Sequence, residues 1–299
     1  MSVTVRVPAK VNVQLAVGAA RPDGFHDLAN VFLAVGLYDE VTVTPADELR
    51  VTCEGPDAGQ VPLDRTNLAA RAALILAERR GLEPAVHLHI AKDIPVAGGM
   101  AGGSADGAGA LLACDALWGT GASRDELLDI CAELGSDVPF SLVGGAALGT
   151  GRGEKLRALE VGGTFQWVFA MAERGLSTPA VFREFDRLTE GLDVPEPVAS
   201  EELLDALATG DPDALGSAVS NDLQSAALSL FPELADTLAA GRAAGALAAL
   251  VSGSGPTTAF LARDAGAAEK VAEVLRTSGT CRSVRTASGP VQGATVLGD

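Results

Sequence analysis

A glycine-rich stretch, "PVAGGMAGGSADGAG" (residues 95–109), is the clearest candidate for chemistry in this sequence. Six of its residues are glycine, and an alanine-rich apolar segment typical of a helix follows directly. Glycine lets the backbone approach a ligand closely, and the first turn of a helix offers free N–H groups to an anion. The stretch therefore indicates a phosphate-binding loop, with a tight turn between buried elements as the alternative. Its spacing lacks G-x-x-x-x-G-K-[ST], so it is not a P-loop.

Two charged residues, Lys10 and Asp137, could have either a catalytic or a purely structural role. Lys10 interrupts the strand-like run "VPAKVNVQL", and Asn12 follows two positions later, on the same face of a strand. Asp137 stands in "GSDVPF", just after a predicted helix. A lone strand lysine is usually solvated, and an aspartate at a helix boundary often caps the helix. The residues alone leave both possibilities open.

Composition and charge exclude several classes of function. The formal net charge is −17, which argues against nucleic acid as a partner, because that binding needs a basic footprint. Any phosphate site must therefore depend on backbone N–H groups and a few local cations. The four cysteines form no C-x-x-C pair, and His87 and His89 lack a third ligand, so no cysteine or histidine metal site is predicted. Apolar runs are too short for a membrane span and no signal-peptide core is visible, so we expect a cytoplasmic protein without a membrane partner.

The order of predicted elements favours two α+β domains, residues 1–156 and 157–299. In the first, strand-like alternation precedes a helix, "RTNLAARAALILAERRGL", with Asn67 near its start and Gly81 after its end. Pro8 is expected to interrupt the first strand, and "SDVPFSLVGGAALGTGRGEKLRAL" to form short strands and turns. The second half has β-α-β-β-α-β order with extra helices inserted, the pattern of a ferredoxin-like layer.

Three segments of the chain resemble the motifs of the GHMP kinases. These are "PAKVNVQL" (8–15), the glycine-rich "PVAGGMAGGS" (95–104) and "VSGSGPTTAFL" (251–261). The resemblance implies a two-domain α+β fold, with an N-terminal α/β domain carrying the phosphate loop, a C-terminal ferredoxin-like α+β domain and a cleft between them. It also implies ATP as co-substrate. Met100, Ala101 and Ala105 depart from the usual Leu, Gly and Ser, and alanine at 101 requires either a negative φ or mild strain.

Flanking residues resemble one branch of these kinases. "RPDGFH" (21–26), "GSDVPF" (135–140) and "NDLQ" (221–224) are similar to the GHMP kinases that act on 4-(cytidine 5'-diphospho)-2-C-methyl-D-erythritol. The resemblance implies ATP-dependent phosphorylation of the 2-hydroxyl in the mevalonate-independent isoprenoid pathway. A homoserine or mevalonate type of kinase and a catalytically silent sensor of a nucleotide or sugar are the alternatives. A Rossmann-type module is disfavoured, because the loop comes late in the chain and no ribose-binding acid follows.

The same resemblance assigns roles to individual residues. It makes Asp137 the catalytic base and places Lys10 beside it and the transferred phosphoryl group. It assigns substrate binding to Asn12, Phe25, His26 and Phe182, with the two rings enclosing cytosine. It assigns ATP binding to Pro95, Val96, Ala97, Gly98, Gly99, Met100, Ala101, Gly102, Gly103, Ser104 and Ala105, together with Asn67. Mg²⁺ is implied by phosphoryl transfer, with the Ser104 hydroxyl as the candidate ligand. The expected partners are small molecules, and the expected state is a monomer or homodimer.

Overall fold

The structure is a computed structural model that describes residues 2–96 and 98–298. It contains two β-sheets with helices packed against them. The strands are β1 (Val3–Ala20), β2 (His26–Pro45), β3 (Arg50–Glu54), β4 (Val86–Ala91), β5 (Ala146–Thr150), β6 (Lys155–Ala158), β7 (Phe165–Met171), β8 (Ser220–Asn221), β9 (Ala248–Val251), β10 (Thr258–Ala262), β11 (Ser283–Gly289) and β12 (Thr295–Val296). The helices are α1 (Leu68–Arg80), α2 (Gly102–Trp118), α3 (Arg124–Leu134), α4 (Val138–Val143), α5 (Thr178–Thr189), α6 (Glu201–Thr209), α7 (Pro212–Ala218), α8 (Gln224–Leu230), α9 (Leu234–Ala243) and α10 (Ala265–Ser278).

The first sheet is organised around the long antiparallel hairpin of β1 and β2. Its strand order is β12-β1-β2-β4-β3, with β5 beside β2, β6 beside β5 and β8 beside β1. The predicted interruption at Pro8 is wrong, since β1 continues through it. The pairing instead shifts register between Pro8 and Ala9, because proline has no N–H to donate to the ladder. Lys10 and Asn12 therefore lie on the same continuous strand as Pro8.

Helix α2 begins at the glycine loop and packs on β1 and β2, with α1, α3 and α4 around it. Its buried face consists largely of alanine and glycine, and such small side chains let the helix lie close to the sheet. The predicted limits of α1 are confirmed, because Asn67 caps its start and Gly81 ends it in a left-handed conformation. The predicted strands in "SDVPFSLV" are wrong. This segment forms α4, where Pro139 lies in the first turn, a position that suits proline.

The second sheet has the order β11-β7-β10-β9, and all its pairs are antiparallel. This confirms the ferredoxin-like layer predicted from β-α-β-β-α-β order. Two short segments of the second half, β8 and β12, pair with β1 of the first sheet. The domain limit between residues 156 and 157 stays a prediction. No helix in residues 2–96 and 98–298 is long and apolar enough to cross a membrane.

Candidate active site

A cleft of about 610 Å³ brings together most of the polar residues predicted to act. Its lining comes from β1, the turn before β2, the glycine loop, the start of α4, helix α5 and the loop between β9 and β10. Among the predicted site residues it includes Lys10, Asn12, Phe25, His26, Pro95, Gly98, Gly99, Ala101, Gly102, Gly103, Ser104, Asp137 and Phe182. Segments distant in sequence therefore share one concave surface, as ligand sites require.

The three sequence motifs meet at the carbonyl oxygen of Gly99. This oxygen accepts hydrogen bonds from Lys10 Nζ at 2.8 Å and from Ser252 Oγ at 3.1 Å. Gly99 has φ +74°, and a Cβ atom there would lie 2.0 Å from the carbonyl oxygen of Ser252. No residue with a side chain fits this position without moving the backbone. The glycine is therefore required by the contact between the second and third motifs.

Ala101 adopts the left-handed conformation, with φ 62° and ψ 30°, and precedes the first residue of α2. The sequence left a negative φ or mild strain open at this position, and the structure has the strained form. Strained backbone of this kind is commonly found at functional sites. The turn it makes presents the start of α2, with Gly102, Gly103 and Ser104, to the cleft. The unpaired N–H groups and dipole of a helix start favour an anion here.

Lys10 lies at the centre of a buried polar network. Besides Gly99, its ammonium group donates to Asn12 Oδ1, and Asn12 Nδ2 donates to Asn30 Oδ1 at 2.6 Å. Asp137 Oδ2 lies 3.9 Å from Lys10 Nζ. Burial lowers the pKa of Lys10, and the Asp137 carboxylate partly offsets this by favouring the charged form. The network fixes the ammonium group and aims it at Asp137.

The Asp137 side chain faces the cleft and does not bond to the backbone of the helix that follows, within the described residues. Asp137 directly precedes α4, yet within the described chain its side chain makes no capping hydrogen bond. About a third of this side chain is exposed, and it lines the cleft. The capping role that the sequence left open is therefore wrong. The carboxylate is available to a bound molecule.

The segment "NDLQ" fixes the third motif to β1, a role that the sequence did not reveal. Asn221 Nδ2 donates to the carbonyl oxygens of Val251 and Gly253, both at 2.8 Å. Gln224 Oε1 accepts from the N–H of Val251 at 2.9 Å, and Asp222 Oδ2 accepts from the N–H of Val17 at 2.9 Å. The polar side chains grouped in this segment were the available signal, but their partners lie in distant parts of the chain.

The far end of the cleft is aromatic. Phe25, at the turn before β2, is half exposed and has the Arg152 guanidinium group 5.0 Å from its ring centre. His26 is buried, its ring centre lies 5.0 Å from that of Phe182, and its Nε2 atom is 2.8 Å from Asp186 Oδ1. Sequence reasoning did not identify Arg152 or Asp186, because isolated charged residues carry no pattern. Together these side chains can enclose a flat ring and contact its polar edge.

Several predicted nucleotide contacts do not line the cleft. Asn67 is buried, where its Oδ1 accepts from the N–H of Ala69 at 2.8 Å and its Nδ2 donates to the carbonyl of Pro62 at 2.7 Å. Met100 and Ala105 lie in the hydrophobic core, and Val96 is half-buried outside the cleft lining. Ala97 lies outside the described residues. Binding of ATP by these five residues stays a prediction, and both polar side-chain groups of Asn67 are already used within the chain.

A buried ion cluster lies directly beneath the glycine loop. The Lys92 ammonium group contacts Asp39 Oδ2 and, at 2.8 Å, Asp106 Oδ2, and all three side chains are buried. Asp39 Oδ1 also accepts from the N–H groups of Asp93 at 2.7 Å and Ile94 at 2.8 Å. A Cβ on Gly102 would lie 2.9 Å from Lys92 Nζ. The cluster thus joins the segment before the loop to the helix after it.

Burial and the neighbouring charges shift the pKa values of Lys92 and Asp106. Burial lowers the pKa of Lys92, but the two carboxylates outweigh it and the net shift is upward. Burial raises the pKa of Asp106 to about 7, against the opposing effect of Lys92. Asp106 Oδ1 has no hydrogen-bond partner among the described residues. One carboxylate therefore carries an unfavourable charge near neutral pH.

Comparison with known proteins agrees with this geometry. Residues 67–145 match the model of the family "GHMP kinases N terminal domain". Residues 203–281 match the model of the family "GHMP kinases C terminal". The 4-diphosphocytidyl-2-C-methyl-D-erythritol kinase of Streptomyces avermitilis is 83% identical over 99% of this chain and 100% of the relative. The enzyme of the same name from Streptomyces coelicolor is 84% identical over the same shares.

A crystal structure of a 4-(cytidine 5'-diphospho)-2C-methyl-D-erythritol kinase has a TM-score of 0.77 to this structure. It is 33% identical and the match covers 95% of this chain and 98% of that chain. The chain therefore belongs to the GHMP kinases, and within them to the 4-diphosphocytidyl-2-C-methyl-D-erythritol kinase family.

The ion cluster predicts a pH dependence of stability that Asp106→Asn should alter. In the folded protein the pKa of Asp106 is about 7, above its ordinary value of 3.8. The unfolded chain therefore loses this proton first, and the group reduces stability as pH rises from about 4 to about 7. Asparagine does not titrate, so the variant should gain free energy of unfolding relative to the parent across this window. Urea unfolding at several pH values measures the difference.

The control for this measurement is Asp129→Asn, at an exposed position on α3. It should keep a nearly constant difference from the parent over the same pH range. A constant difference for Asp106→Asn as well would contradict the raised pKa.

Proposed function

We infer that this chain transfers the γ-phosphoryl group of ATP to the 2-hydroxyl of 4-(cytidine 5'-diphospho)-2-C-methyl-D-erythritol. The products are the 2-phosphate and ADP, in the mevalonate-independent route to isoprenoid precursors. The observation that carries the proposal is the pairing of Asp137 with Lys10 at one end of a cleft whose other end is aromatic. A hydroxyl group bound beside Asp137 would lie close to phosphates bound at the start of α2.

In the proposed mechanism Asp137 accepts the proton of the 2-hydroxyl as that oxygen attacks the γ-phosphorus. An alcohol must lose its proton as the bond to phosphorus forms. Lys10 holds the carboxylate ionised and offsets negative charge that develops on the phosphoryl oxygens. Asn12 keeps the ammonium group in place through its hydrogen bond, and it is near enough to contact the substrate polyol.

The glycine loop binds the ATP phosphates in this proposal, chiefly through backbone N–H groups. Gly98, Gly99, Gly102 and Gly103 line the cleft, and no side chain there blocks close approach of an anion. Local donors of this kind are needed because the net charge of −17 repels anions at long range. The Asn67 side chain is an unfavourable ATP contact, since it would first have to give up its capping bonds.

Mg²⁺ enters the proposal as a companion of ATP. Within residues 2–96 and 98–298 no group of three or more His, Cys, Asp or Glu could hold a metal ion. This suits Mg²⁺, which is usually held by substrate phosphates, water and one or two protein oxygens. The Ser104 hydroxyl, in the first turn of α2, is the side chain that would complete its shell. Bound there, the ion would neutralise charge on the β- and γ-phosphates.

Cytosine is proposed to bind at the aromatic end of the cleft. Phe25 and Phe182 would enclose the base, and His26, fixed by Asp186, would contact its polar edge. Stacking is tolerant of base identity, so hydrogen bonds must supply the preference for cytosine. The residues named all belong to one chain, and the expected state, a monomer or homodimer, stays a prediction.

The choice of acceptor is tested by measuring ATP consumption with a panel of substrates. The cytidine-linked methylerythritol should be turned over far faster than homoserine or mevalonate, because those acceptors have no base to fill the aromatic end. Equal rates with homoserine or mevalonate would contradict the proposed substrate and favour one of those acceptors. No turnover with any acceptor, despite ATP binding, would favour the silent sensor.

Removing the proposed base gives the first prediction on mechanism. Asp137→Asn should lower kcat by at least ~10²-fold, the usual effect of losing a general base. The affinity for a nonhydrolysable ATP analogue and the thermal midpoint should change little, because the side chain caps no helix within the described residues. Asp129→Asn, exposed on the preceding helix, is the matched control. A variant that kept most of its kcat would remove Asp137 from the mechanism.

The aromatic end gives a prediction on KM. Phe25→Ala should raise KM for the cytidine-linked substrate by about tenfold, since stacking is worth roughly 1–3 kcal/mol per base. The ring contacts the substrate before and during reaction alike, so kcat and the KM for ATP should stay near the parent values. Phe25 is 49% exposed, so folding should tolerate the change.

Phe25→Tyr keeps the ring and should retain the parent KM. An equal rise in KM for the cytidine-linked substrate in both variants would contradict cytosine binding at this ring. An equal rise in the KM for ATP would also contradict it.

A further inference from the structure

A residue from the other domain holds the connection between β3 and α1, which packs against the segment before the glycine loop. Arg282, directly before β11, donates from Nη1 and Nη2 to the two carboxylate oxygens of Asp57 at 2.7 and 2.9 Å. Asp57 lies in the connection between β3 and α1 and is 6% exposed. A bidentate arginine–carboxylate ion pair on a buried acid is among the stronger and more directional polar contacts.

The connection that carries Asp57 is packed against the phosphate loop. The backbone of Gly55 lies so close to this segment that a Cβ would be 2.0 Å from the carbonyl oxygen of Lys92. The N–H of Lys92 donates to the carbonyl of Glu54 at 2.9 Å. Arg282 lowers the pKa of Asp57, and the backbone N–H of Val96 contributes to the same shift. The connection that carries Asp57 is thus linked to the second domain through Arg282, and to Lys92 through Glu54 and Gly55.

A second ion pair joins β11 directly to the segment before the glycine loop, but it carries less weight. Arg285, on β11, pairs with Asp93, and both side chains are 45% exposed. Exposed pairs of this kind contribute little because solvent screens them. The buried contact at Asp57 is therefore the one expected to fix the distance between β11 and the phosphate loop.

We propose that Arg282 is a positioning residue for ATP: by holding Asp57 it fixes residues 92–96 and hence the glycines that follow. Arg282 and Asp57 lie outside the cleft lining, so their effect on catalysis is indirect. The inference rests on the proposed function for the identity of the acceptor, but not for its prediction on ATP. It also couples the two domains, because the second domain then sets the geometry of a site built on the first.

The test compares Arg282→Gln, Arg282→Lys and the parent. Arg282→Gln should weaken binding of a nonhydrolysable ATP analogue, and raise the KM for ATP, by roughly tenfold, as typical coupling through a packed network would give. The KM for the cytidine-linked substrate should stay within about twofold of the parent, because its proposed pocket lies at the other end of the cleft. Arg282→Lys keeps the charge without the two-pronged geometry and should fall between parent and Arg282→Gln.

Two further variants guard against a purely structural explanation. Arg276→Gln removes an exposed arginine of α10 and should bind ATP as the parent does. Asp57→Asn combined with Arg282→Gln avoids a buried unpaired charge and should show the same ATP defect as Arg282→Gln alone, because the contact is already lost.

Folded Arg282 variants with parental ATP affinity would overturn the proposal, as would failure of both Arg282→Gln and the double variant to fold. A parent that binds ATP but ignores the cytidine-linked acceptor would refute the proposed function, while leaving the ATP prediction to be judged by calorimetry.

Discussion

The site depends on one backbone atom, the carbonyl oxygen of Gly99. It receives the Lys10 ammonium group from β1 and the Ser252 hydroxyl from the loop after β9, so elements of both sheets meet there. The contact is possible because Gly99 has no side chain and adopts a positive φ. Lys10 is in turn aimed at Asp137, 3.9 Å away. A buried ammonium group needs several such partners to remain charged, and its hydrogen-bond acceptors, Asn12 Oδ1 and the Gly99 carbonyl oxygen, belong to the first and second motifs.

Charge around the phosphate loop is arranged in layers. Backbone N–H groups and Lys10 face the cleft, while Lys92 lies beneath the loop between Asp39 and Asp106. The ion pair of Arg282 and Asp57 holds the connection between β3 and α1, which packs against the segment before the loop. Positive groups are thus concentrated around the loop. This local concentration lets a protein with a net charge of −17 bind a polyanion at one site. The buried pairs also have a structural cost, since Asp106 Oδ1 finds no hydrogen-bond partner in the part of the chain that the structure describes.

The sequence was sufficient for the fold and for the residues that local motifs mark. Periodicity located α1 and the ferredoxin-like order, and the glycine spacing located the loop. Helix α4 was missed, because a proline in "SDVPF" suggests a break, although proline suits a first helical turn. The Lys92 cluster joins positions separated by 53 and 14 residues, and Asp57 and Arg282 are 225 residues apart. Such pairings leave no local pattern, and neither does the difference between a capping Asn67 and one that binds nucleotide.

The most direct test of this account is the ATP affinity of Gly99→Ala, measured by calorimetry with a nonhydrolysable analogue. Gly191→Ala is the matched control, because Gly191 has a similar φ of +77° but nothing within 4 Å of an added Cβ among the described residues, whereas a Cβ on Gly99 would lie 2.0 Å from the Ser252 carbonyl oxygen. Both variants bear the same local backbone strain. The account predicts that Gly99→Ala loses at least about tenfold in affinity while Gly191→Ala binds as the parent does. Equal affinities for the two variants would contradict the claim that the contact at Gly99 holds the phosphate site together.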